Sequence, residues 1–144
     1  MTFALLAFIA GTLIAFQASV NSQLGVVLNN PTLATAVVFC LSATVSVLAV
    51  GVSGSDIPTL QHLRNVPWFL WLGGLMSALG VGLFYYLIPK MGVGLMMSYA
   101  LTGQLLLAML VSHFGWFGLP VLPLSPTRIV GLMAMITGII LINR

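Results

Sequence analysis

An all-α integral membrane protein is the fold class that this sequence predicts, and three observations predict it. Hydrophobic residues make up 60% of the chain and charged residues 3%, against about 45–50% and about 25% in soluble domains. Apolar stretches of membrane-crossing length follow one another, separated by proline, glycine and asparagine. The polar side chains inside those stretches are amides and hydroxyls, which a bilayer tolerates only when they are partnered or wet. Five spans are expected, at about 2–28, 31–52, 67–88, 91–111 and 127–142, in one membrane domain covering 1–144.

The first span carries Gln17 and Asn21, four apart on one face of an otherwise apolar helix. Each amide needs a protein partner or a hydrated cavity, so both are candidate pathway residues. Beside them Gly11, Ala15, Ala18, Ser22 and Gly25 form a stripe without bulk on which another helix can lie close. No basic segment precedes this span and further spans follow, so it reads as a retained helix and not a cleaved signal. Asn29-Asn30-Pro31 breaks it, and the second span starts near Pro31 or Thr32, antiparallel to the first. Cys40, the one cysteine, reads as a small buried hydrophobe.

From Gly51 to Pro58 the chain leaves the membrane, and Asp56, His62 and Arg64 follow in its most polar segment. Pro67 suits the first turn of the third span, with Trp68 and Trp71 at headgroup depth. Gly73, Gly74, Ser77, Ala78, Gly80 and Gly82 smooth that helix before Phe84, Tyr85 and Tyr86 restore bulk, the two tyrosines reading as belt residues. Pro89-Lys90 is expected to turn the chain into the fourth span, where Ser98, Tyr99, Thr102 and Gln104 join the candidate pathway and Gly103 thins the helix for packing. The segment His113–Pro126 is apolar but rich in proline and glycine, which predicts an interfacial or re-entrant loop. Ser125-Pro126 then caps the short last span.

Five spans would put Arg64 and Arg128 on one side of the membrane and Lys90 and Arg144 on the other. Orientation follows an excess of Lys and Arg on the cytoplasmic side, and here the sides tie. A tie predicts insertion both ways and pairing of two inverted copies about a twofold axis in the membrane plane. If instead the N-terminal amine or Asp56 breaks the tie, the chain has one orientation.

The ordered set Gly11, Gln17, Asn21, Leu24-Gly25, Pro31, Phe39, Gly103-Gln104, His113-Phe-Gly115, Pro120, Pro123-Leu-Ser-Pro126 and Arg128-Ile-Val-Gly131 resembles the small YdcZ-like family of bacterial inner-membrane proteins in the drug/metabolite transporter superfamily. The resemblance implies a five-helix half-transporter of the inner membrane that pairs with an inverted copy or a homologous five-helix chain and works as an exporter. In that family an acidic residue commonly precedes the His-Phe-Gly segment, whereas Ser112 stands there in this chain. The membrane-embedded glutamate of the related four-helix multidrug exporters is also missing.

The chemistry is bounded by what the chain lacks. Its one acid is Asp56, in a loop, so a buried carboxylate shuttle is excluded and His113 is the remaining candidate for proton coupling, against a plainer role as a local hydrogen-bonder. No cysteine–histidine cluster or nucleophile–base pair points to a metal, a cofactor or an enzyme, and four scattered basic residues make no nucleic-acid surface. The expected partners are the bilayer, a second copy and a small-molecule substrate. The expected function is solute transport by alternating access. A passive dimeric channel and a non-transporting accessory protein, in which Gln17, Asn21 and Gln104 serve packing alone, remain the alternatives.

Overall fold

The computed structural model describes residues 2–54 and 58–142. Asp56 and Arg144 lie outside the described residues. The helices are α1 (Thr2–Val27), α2 (Pro31–Ser53), the short α3 (Leu60–Arg64), α4 (Leu72–Met91), α5 (Val93–Phe114) and α6 (Pro126–Ile142), with single 3₁₀ turns at Trp68–Trp71 and Trp116–Gly118. Strands do not occur among the described residues. Four segments are long and apolar enough to cross a membrane: Thr2–Val27, Pro31–Ser53, Trp68–Met91 and Val93–Phe114. The fifth, α6, is apolar but has 17 residues, about 25 Å of helix.

The tight turn between α1 and α2 follows from its three residues. Asn29 takes a left-handed φ of 50°, which asparagine tolerates better than most side chains, and the Asn30 N–H reaches back to the Gly25 carbonyl at 3.0 Å. Asn30 is then extended and caps α2, its side-chain oxygen accepting from the Leu33 N–H at 3.0 Å. Pro31 occupies the first helical position, where a missing N–H costs nothing.

The chain forms two compact units, Met1–Lys90 and Met91–Arg144. In the first, α1 packs on α2 at the end nearest their shared turn. Ala18, Ser22 and Gly25 of α1 are buried, as are Ala34 and Thr35 of α2, with Gly25 facing Pro31 and Ala34. A Cβ on Gly25 would stand 3.4 Å from the Pro31 Cα, whereas one on Gly11 would meet nothing within 4 Å. The buried hydroxyls are satisfied locally: Ser22 donates to the Ser19 carbonyl at 2.8 Å and Thr35 to the Pro31 carbonyl at 2.9 Å. The close contact is therefore one of small side chains meeting by van der Waals packing. Away from the turn, residues 2–14 of α1 and 40–53 of α2 are exposed within the unit, and Cys40 is among them, contrary to the buried position expected from its apolar surroundings.

In the second unit α5 packs on α6. The break between α4 and α5 falls at Gly92, φ +86°, and not at Pro89-Lys90, which α4 retains in its last turn. Glycine is the residue that takes this φ without strain, whereas a proline near a helix end removes one hydrogen bond but still has a helical φ. At its other end α5 runs on through His113 to Phe114 and stops at Gly115, φ +61°. Ser125 and Pro126 open α6, the Arg128 N–H bonding back to the Ser125 carbonyl at 3.0 Å and to its hydroxyl at 3.3 Å.

Candidate functional site

In the N-terminal unit the amides of α1 meet a tyrosine of α4. Asn21 Nδ2 donates to the Tyr85 hydroxyl at 2.9 Å and lies 3.4 Å from Gln17 Oε1, at the long limit for a hydrogen bond. Tyr85 is 1% exposed, buried with Ile88 on the face of α4 that carries Ala78 and Gly82. It is not turned outward as a belt residue would be. Its neighbour Tyr86 is exposed and holds Lys90, whose Nζ donates to the Tyr86 hydroxyl and lies 3.8 Å from the ring centroid. Between α2 and α4 a groove of about 680 Å³ is lined by Thr32, Ala36, Phe39, Ala78, Leu83 and Tyr86.

In the C-terminal unit the polar residues of α5 do not form such a cluster. Ser98 donates to the Gly94 carbonyl and Thr102 to the Ser98 carbonyl, each at 2.8 Å and each within its own helix. Tyr99 is 61% exposed. Gln104 is exposed and makes no side-chain hydrogen bond among the described residues, and Gly103 beside it opens onto empty space.

The segment after α5 is ordered by a small polar network. The Leu122 N–H bonds the Ser112 carbonyl at 2.8 Å, and the Leu124 N–H bonds His113 Nδ1 at 3.2 Å. Arg128 closes it from α6, donating to the carbonyls of Leu122 at 3.0 Å and Pro123 at 3.3 Å. His113 thus spends its Nδ1 lone pair on a backbone amide, so its free nitrogen is Nε2. A second cavity, about 380 Å³, lies under this loop against Leu105, Met109 and Leu132, with Arg128 as its charged wall.

Apart from the last residue of α6, the helices and loop ties lie inside residues 2–141, the stretch that matches the family described as "Putative inner membrane exporter, YdcZ". The chain belongs to this family. No curated protein and no solved structure matches it. As a member of the YdcZ exporter family it is a membrane transport protein of the inner membrane, with at least four helices suited to crossing it.

Membership gives the family-like residues a structural context. Leu24-Gly25 and Pro31 sit at the α1–α2 contact. The His-Phe-Gly, Pro-Leu-Ser-Pro and Arg128 segments build the loop network, to which Ser112 contributes a backbone carbonyl. Tyr85 is the site residue that sequence reasoning missed. Its position three residues after Gly82 and seven after Ala78 puts it on the smooth face of its helix, and that spacing was the signal available.

Proposed function

We propose that the protein exports a small solute as an antiparallel homodimer working by alternating access, with α6 as a fifth span and both units part of one membrane domain. The pathway is lined by Gln17 and Asn21 of α1 and by Ser98, Tyr99, Thr102 and Gln104 of α5. The observation that carries this reading is the exposure of α5: Gln104 stands exposed halfway along a membrane-length helix with no partner among the described residues, and Tyr99 is exposed five residues before it. In hydrocarbon an unsatisfied amide costs several kcal/mol, on the order of 4–8 kcal/mol in the driest reference, so a second protein surface or a wet pathway must meet it. The tie between Arg64 with Arg128 and Lys90 with Arg144 supports an inverted copy as that surface.

His113 is assigned to loop anchoring. Its ring already accepts a backbone hydrogen bond, and a proton added at Nδ1 would break that contact. Two C-terminal reporters, one active only inside the cell and one only outside, test the topology. Activity from both is expected, and activity from one alone contradicts dual insertion. Flux in liposomes separates carrier from channel: saturation and counterflow are expected of alternating access.

A further inference from the structure

We infer that the groove between α2 and α4 is a binding site for a lipophilic organic monoanion: an apolar body carrying one acidic group, dissolved in the bilayer. The groove's volume, about 680 Å³, is drug-sized. Its walls are apolar and aromatic because Ala36 and Ala78 withhold bulk between Phe39, Leu83 and Tyr86. Both helices that form it have membrane-crossing length, so the occupant reaches it from hydrocarbon.

The groove's polar side chains are Thr32, Thr35 and Tyr86, and the Thr35 hydroxyl already donates to the Pro31 carbonyl, which leaves Thr32 and Tyr86 as its donors. Thr32 has a hydroxyl that makes no hydrogen bond among the described residues. Tyr86 accepts from Lys90 and keeps its own proton to give. Lys90 spends one of its three donors on Tyr86 and has no carboxylate partner among the described residues. A lysine at the end of any span can snorkel to the headgroups. Lys90 differs in lying across the ring that forms the groove's wall. An apolar slot with a hydroxyl and a phenol in its walls, and on that phenol an ammonium with no carboxylate partner among the described residues, complements a carboxylate with a hydrophobic tail better than a cation, which the ammonium repels. A groove of this size accommodates one tail or ring system and not the paired chains of a phospholipid.

The inference rests on the transporter reading for its biological meaning but is tested by equilibrium binding within one protomer. Failure of binding with flux intact would therefore count against the groove, and failure of flux with binding intact against transport.

The full chain is placed in discs of phosphatidylcholine and titrated with dansyl-labelled undecanoic acid, its methyl ester and a dansyl alkylammonium. The acid is expected to bind, and Lys90→Gln to weaken it by about tenfold, in line with a charge-assisted hydrogen bond. The ester should bind less tightly and ignore that substitution, and the ammonium should not compete. Ala78→Phe should abolish binding of the acid by filling the groove, with Ala36→Leu as the same test from the opposite wall. Equal binding of acid and ester, indifference to Lys90→Gln, or full binding in both filled variants would overturn the proposal. So would displacement of the acid by phosphatidylglycerol mixed into the discs, which would identify the occupant as a lipid headgroup.

Discussion

The two helices that carry amides differ in how far each unit satisfies them. In the N-terminal unit Asn21 finds Tyr85 at 2.9 Å, and the tyrosine is buried as a result of the same packing. In the C-terminal unit Ser98 and Thr102 turn back on their own helix while Tyr99 and Gln104 stay exposed. Amides on a membrane helix therefore come in two kinds. One kind is met inside its own protomer and the other has no partner among the described residues. Replacing the first should cost stability as well as flux, and replacing the second should cost flux with little loss of protomer stability.

The largest effect should come from Tyr85→Ala, which empties a fully buried aromatic site and removes the partner of Asn21. A loss of about 3–5 kcal/mol is expected in unfolding from mixed micelles. Gly115→Ala comes next, with about 1–3 kcal/mol. A Cβ there would meet Val121 Cγ2 at 2.6 Å, at a φ of +61° that alanine resists. Adding Val121→Ala should recover the steric part and leave the backbone part. A smaller effect is expected for the Asn21–Tyr85 bond itself. A cycle of Asn21→Leu and Tyr85→Phe should give a coupling of about 0.6 kcal/mol, typical of interhelical hydrogen bonds in membranes. Gln104→Leu should change protomer stability by less than about 0.5 kcal/mol, while lowering both the dimer fraction and flux. A large stability loss from that substitution would erase the distinction between the two helices.

Much of the fold could be read from residues whose local chemistry is decisive. Asn29-Asn30-Pro31 specifies a left-handed cap, an N-cap and a first helical turn in succession, so the α1–α2 hairpin follows from three side chains. Ser125-Pro126 specifies the start of α6 in the same way. The break at Gly92 was harder to see because Pro89 is the louder signal, yet a proline in a last turn leaves the helix intact and only a glycine accepts φ +86°.

Tyr85 and Cys40 show why side-chain placement was less readable. In a chain that is apolar on every face, hydrophobicity no longer distinguishes inside from outside. The small-residue pattern has to do so instead. It placed Ala18, Ser22 and Gly25 at a contact but did not say that the contact stops short of Gly11, nor which aromatic would meet Asn21. The proposed contact with a second chain is signalled still more faintly, by one amide without a partner among the described residues and by a tie of four basic residues.

In the proposed dimer the exposed face of α5 around Gln104 is completed by an inverted second copy. The centre of α5 falls between Gly103 and Gln104, and Ala100 and Leu107 lie on that side of the helix at equal distances from it. In a background carrying Cys40→Ala, Ala100→Cys in one copy should form disulfides with Leu107→Cys in the other when the two variants are co-expressed in native membranes. Cross-links joining each position only to itself would mean that the helices run parallel and would contradict the account.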